Sequence, residues 1–267
     1  MLTIDVKVTA LYPRTIFIQW EVENNLVVGD VLFDIYKAHS PSGEFTKVNN
    51  LPEINTFYFQ DHEEVAFSKL YNVHYKVVLT DPLKRQYESK VTSLDTSPEN
   101  SRHYYSPLRI AREINRTEKI LLNKFTGVTC ILLKRRHFGE KCSDCFNFVT
   151  EEVTNSHCKV CYGTGFVGGY HKPIQLRAQF DAIVQSQRLT DQLAVREESN
   201  NSAWINAVPY VKKADVLVQV NSNTRWFIHD VQVTSLQSST VRQTLQIKEI
   251  EHANIAYSVP IENPAIL

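Results

Sequence analysis

Residues 135–172 read RRHFGEKCSDCFNFVTEEVTNSHCKVCYGTGFVGGYHK. The stretch carries two Cys-x-x-Cys knuckles, Cys142/Cys145 and Cys158/Cys161, with twelve residues between them. Two such pairs deliver four soft ligands from sharply turned segments, which is what a tetrahedral Zn²⁺ requires. Disulfides and a redox dithiol are the competing uses of the same spacing. Of the chain's eight glycines, four (Gly163, Gly165, Gly168 and Gly169) follow the second knuckle. Glycine there lets the backbone take positive φ and pass close to the sulfurs. The spacing therefore predicts a metal-stapled loop whose ligands are Cys142, Cys145, Cys158 and Cys161. Strand-like runs enter and leave it, at 128–133 and 173–180. The excursion between them is too poor in apolar residues to fold without the metal.

Four thiolates close the coordination sphere, so the expected role of the zinc is structural and no catalytic residue is assigned. The cluster carries a charge of about −2 that must be balanced. Lys134, Arg135, Arg136, Lys141 and Lys159 are the nearby cations. The same basic run is, alternatively, the phosphate patch of a nucleic-acid-binding zinc ribbon. Lys+Arg and Asp+Glu both count 29, and this zero balance favours charge compensation over a polyanion partner. His137, His157 and His171 flank the cysteines. With four thiolates present they are expected beside the ligands or on the surface.

Upstream, residues 1–98 read as short period-two strands separated by turns: 15–20, 31–36, 45–48, 56–59, 71–79 and 87–91. This pattern, with Trp20 on an early strand and no cysteine pair, predicts an immunoglobulin-like β-sandwich without a disulfide. His62-Glu63-Glu64 begins like a zinc-protease helix, but Ala66 stands where the second histidine is needed. Residues 99–107 form a polar, proline-punctuated linker. Leu108, Ile110, Ile114, Ile120, Leu121 and Phe125 then fall near one helical face, and Gly127 is a plausible stop. Arg109, Arg112 and Arg116 lie between them. Helix and metal loop make a unit over 108–186.

Downstream, 187–204 is polar and loop-like. Strands at 214–220, 225–233 and 241–250 follow, with Asn221-Ser222-Asn223 as a hairpin turn. They predict a small antiparallel β-barrel over 187–255, with Trp204, Trp226 and Phe227 as core or rim aromatics. Residues 256–267, with two prolines, read as an extended arm suited to adding onto a neighbour. The fold class expected is mainly β and multidomain: sandwich, helix with zinc-stapled excursion, and barrel. Cys130 is left inside an apolar run, and four of five cysteines in knuckles fit a reducing compartment. The N-terminus lacks the apolar core of a signal peptide and no run reaches transmembrane length, so no membrane partner is expected.

Three resemblances add to this. Residues 1–98, through Trp20, FDIYKAHSPSGEF and YNVHYKV, resemble a fibronectin type III domain. LLKRRHFGEKCSDCFN…SHCKVCYGTGFVGGYHKPI together with KKADVLVQVNSNTRWFIHDVQ…TLQIKEI resembles minor structural proteins of tailed bacteriophages, of the neck or head–tail joining type. That resemblance implies a virion protein assembled in the bacterial cytoplasm, with no enzymatic activity. It implies a homo-oligomeric ring that contacts portal, adaptor, tail or fibre proteins; tail-terminus and baseplate positions reuse the same parts. Direct nucleic-acid contact is the alternative role. The knuckle Cys158-Lys-Val-Cys161-Tyr-Gly-Thr-Gly is also similar to the zinc repeats of J-protein co-chaperones. Those come in several copies, Cys142-Ser-Asp-Cys145-Phe-Asn departs from them, and no His-Pro-Asp tripeptide is present.

Overall fold

The computed structural model describes residues 2–11, 15–23, 29–62, 73–94, 107–181, 185–191, 194–236 and 239–266, with backbone alone at 107–108, 185–191 and 194–200. Strands fill the first lobe: β1 (Thr3–Leu11), β2 (Thr15–Glu23), β3 (Leu32–Ala38), β4 (Thr46–Lys47), β5 (Glu53–Ile54), β6 (Tyr58–Asp61), β7 (His74–Thr80), β8 (Gln86–Glu88) and β9 (Thr92–Ser93). They form two sheets, β1-β2-β6 and β4-β3-β7-β8, with β5 on β3 and β9 on β7. The inward residues of both meet in one core, from Ile4, Val6, Ile18 and Trp20 on one side to Phe33, Ile35, Tyr75 and Val77 on the other. Trp20 is fully buried, packs tilted against Phe33 with ring centroids 5.0 Å apart, and donates its indole N–H to Thr56 O. At the far end a buried Asp61 carboxylate accepts from Lys37 Nζ (3.0 Å) and Tyr75 OH (2.7 Å), the pairing a desolvated charge needs. Of the His62-Glu63-Glu64 triplet only His62 is described, as is only 73–79 of the strand expected at 71–79; the linker 99–106 also lies outside the described residues.

Helix α1 (Pro107–Leu121) runs into a π-turn, Leu122–Thr126, whose C-cap is Gly127. Its buried side is not the aliphatic stripe. Ala111, Asn115, Glu118 and Leu122 face inward, while Ile110, Ile120, Leu121 and Phe125 are exposed. The helix docks on the barrel rim through polar groups. Asn115 Nδ2 donates to Thr240 O, and Glu118 takes a two-nitrogen ion pair from Arg242. Asn206 Nδ2 donates to Asn115 O.

The remaining strands are β10 (Val128–Leu133), β11 (Phe146–Asn147), β12 (Glu152–Val153), β13 (Ile174–Phe180), β14 (Gln185–Asp191), β15 (Ala194–Asn206), β16 (Val216–Gln219), β17 (Arg225–Leu236), β18 (Ser239–Glu249) and β19 (Ala265–Ile266). Six of them close into an antiparallel barrel in the order β10-β13-β15-β18-β17-β16 and back to β10. Alternate residues point inward to a core of Cys130, Leu132, Ile174, Ala178, Ile205, Leu217, Ile228, Leu245 and Ile247. Cys130 is thus a core residue, its thiol pushed up to about 12 by burial.

Three expectations need correction here. The barrel is not confined to 187–255: β10 and β13, assigned to the metal-loop unit, are two of its staves, because Cys130–Leu133 pairs with β16 on one edge and Val128–Leu132 with β13 on the other. The polar stretch 187–204 is a hairpin, β14 with β15, paired from Gln185↔Asn200 to Asp191↔Ala194; a ladder satisfies the backbone without requiring an apolar face. Residues 256–266 are not a free arm. A 3₁₀ turn, Ile255–Ser258, covers the outward face of β10 and β16 (Ile131, Leu133, Val216, Val218), and β19 pairs in parallel with the start of β13. A stave buried on both faces explains why 130–133 reads as a continuous apolar run.

Candidate metal centre

The metal loop is the connection between adjacent staves β10 and β13. Its four cysteines are buried, and their sulfurs all lie within 4.8 Å of one another. A tetrahedral ion with Zn–S bonds of about 2.3 Å places sulfurs about 3.8 Å apart. Cys142 and Cys158 are 3.8 Å apart; Cys145 and Cys161, at 3.0 Å, are far beyond the roughly 2.05 Å of a disulfide. All five cysteines are free thiols. The set has the donors, spacing and burial to hold one metal ion.

Local hydrogen bonds explain the convergence. Phe146 N–H donates to Cys142 O and Tyr162 N–H to Cys158 O, closing each knuckle. Cys142 N–H donates to Gly165 O and Thr154 N–H to Cys145 O, tying the two halves together. Gly163 has φ +77°, and a Cβ there would sit 2.7 Å from Ser156 O. Gly169 has φ +65°, and its Cβ would meet Cys161 O at the same distance. Only glycine fits at either. Amides of Cys161 and Val160 donate to Cys158 and bring its thiol down to about 7. Burial pushes Cys142 up, and burial plus neighbouring thiols pushes Cys145 higher still. Without a cation Cys142 and Cys145 hold their protons; a metal displaces them.

The basic residues serve the backbone rather than the sulfurs. Lys134, 3% exposed, donates to Tyr210 O (3.0 Å) and lies 3.5 Å from the buried Asp215 carboxylate. Arg135 donates to Thr164 O, and its own N–H goes to Asp215. Arg136 donates to Tyr170 O and Val167 O, clamping the glycine turn. Lys141 lies over the rings of Phe146 and Phe166 at 4.2 and 4.0 Å. Of the five expected counter-charges only Lys159 stays on the surface near the knuckle. His157 is exposed, and His171 is 5% exposed with Nδ1 3.0 Å from Asn55 O. None of the three flanking histidines belongs to the cluster.

Sequence reasoning missed what the loop does to its surroundings. Phe138 leaves it to join the sandwich core, 5.5 Å from Phe33, while Phe57 of the first lobe joins the barrel core. His171 lies between Phe57 and Phe138, at 4.8 and 5.0 Å, and burial drives its pKa to about 3. Gln19 donates to Tyr210 O and accepts from Tyr210 N–H, and Tyr210 OH meets Thr9 Oγ1 at 2.7 Å. Glu21 pairs with Lys212. The first lobe, loop and barrel therefore interlock. Nothing in the sequence period around Phe138 marks its destination. The sequence matches no protein-family model and no curated protein.

Proposed function

We propose that this chain is a structural virion protein of a tailed bacteriophage, a ring-forming component of the neck or head–tail junction stapled by a structural zinc. The carrying observation is that the two stretches resembling neck proteins are one unit. The cysteine loop joins two staves of the closed barrel to which KKADVLVQV, RWFIHDVQ and TLQIKEI contribute the other side. The reading assigns the chain assembly rather than catalysis. Four buried thiolates suit Zn²⁺ above harder ions and leave it no open position. The first lobe's division into β1-β2-β6 and β4-β3-β7-β8 supports the fibronectin type III resemblance, a domain that would project outward. The basic run 134–136 gives little to a nucleic-acid role, since its members are committed to carbonyls and Asp215.

The test is immunogold labelling of phage particles with antibody against residues 1–95, beside mass spectrometry of their digest. Gold at the head–tail junction is the expected result. Gold at the distal tail moves the protein to the tail terminus or baseplate. Particles free of both gold and peptides would end the virion reading.

A further inference from the structure

We infer that the tip of the metal loop on one copy docks against the exposed apolar side of helix α1 on the next copy, an interface that rests on the ring reading above. Between Ser143 and Ser156 the chain has three acids, Asp144, Glu151 and Glu152, and no lysine or arginine. All three are exposed. At the turn they flank, Phe148 is 62% and Val149 91% exposed. The turn is held rigidly. Asn147 Oδ1 accepts from Val149 N–H at 2.8 Å, Phe146 pairs with Val153, and the next residue bonds to Cys145 O. A preorganised apolar tip loses little entropy on docking.

The receiving surface has the opposite charge. From Arg109 to Lys124 there are five cations (Arg109, Arg112, Arg116, Lys119, Lys124) against two acids (Glu113, Glu118). Ile110, Leu121 and Phe125 fall on one flank of the helix and are 42%, 38% and 77% exposed. Exposed Lys124, three residues on from Leu121 and next to Phe125, stands beside the C-terminal part of that flank. Acidic-apolar against basic-apolar is the complementarity that sets register and partner choice. Within one chain the two surfaces belong to segments at opposite ends of β10. The helix ends just before β10 and the metal loop begins just after it, so a six-residue stave, about 20 Å long at roughly 3.3 Å per residue, stands between them. Two different surfaces at opposite ends of one strand make a head-to-tail contact between copies, the kind that closes into rings.

The experiment is sedimentation velocity on the full, metal-loaded chain. The variants are Glu151→Lys/Glu152→Lys, Lys124→Glu and the three substitutions combined, each checked for one metal per chain. Each variant of one surface alone is expected to weaken self-association at least about tenfold. The combined variant, and a mixture of the two, should recover it, because each reversed tip finds a reversed helix. Variants that all assemble like a ring-forming wild type overturn the contact and leave the ring reading standing. Loss in the variants of one surface alone without recovery in the combined one also overturns the pairing. A wild type that sediments as a monomer removes both.

Discussion

Replacing Phe138 by Ala should destabilise the whole protein although Phe138 belongs to the metal loop. Its side chain is 3% exposed and packs between Phe33 and His171 in the sandwich core. Truncating a buried Phe costs about 3–5 kcal/mol, the spread reflecting how far the site relaxes. Here a cavity of about 320 Å³, lined by Trp20, Phe57, Lys134 and His171 as well as Phe138, adjoins the ring and lets neighbours shift. The lower end, about 3 kcal/mol, is therefore expected. For a chain of this size that lowers Tm by roughly 6–12 °C. The assay is urea and thermal unfolding followed by tryptophan fluorescence, with metal content measured in parallel. Phe148→Ala, which removes an exposed ring of the same loop, is the control and should change stability by less than about 0.5 kcal/mol. A loss under about 1 kcal/mol for Phe138→Ala, or equal losses for both variants, would refute the argument that the loop is keyed into the sandwich.

Three further outcomes follow from the site. Metal affinity should fall as pH falls, because the buried thiols of Cys142 and Cys145 hold their protons and each must be displaced; a cobalt titration whose midpoint is the same at pH 6 and pH 8 would contradict this. His171 titrates at about 3 in the folded protein and near 6.5 unfolded. Its contribution is therefore complete above 6.5 and shrinks toward pH 3 at up to about 1.4 kcal/mol per unit. His171→Phe should flatten that slope, and a variant whose unfolding keeps the wild-type pH dependence would rule the assignment out. Gly163→Ala places a Cβ 2.7 Å from Ser156 O at positive φ and should cost about 1–3 kcal/mol. The loss should read out as weaker metal retention against a chelator; unchanged retention would show that the turn relaxes freely.

The cysteine cluster was legible because its signal is chemical and local: four ligands and the glycines behind them need no tertiary context. The period-two strands of the first lobe were legible for the same reason. Helix α1 was legible, but its buried side was not. Its aliphatic residues obey a 3.6 period, yet docking is made by Asn115 and Glu118, whose partners Thr240 and Arg242 lie more than a hundred residues away. The barrel's extent was misread because β10 and β13 close it only in three dimensions, across an excursion that separates them in the chain. The hairpin β14–β15 was read as loop because a two-stranded ribbon can be polar throughout. The basic run was misassigned since sequence shows charge but not the carbonyls that charge will meet.

The closure of the barrel is uneven. β17 and β18 pair along nearly their whole lengths, whereas β13 meets β15 only at Ala178–Phe180 against Ala203–Ile205. That seam is therefore a place where the barrel breathes, and amide hydrogens of Ala178–Phe180 should exchange with solvent before those of Trp226–Ile228, which lie in the long β17–β18 ladder. Each opening exposes the backbone edge of β13, whose other end is capped by the two residues of β19. A barrel has no edges only while it stays shut, and on this stave the strand β19 covers the end of the edge that the seam leaves free.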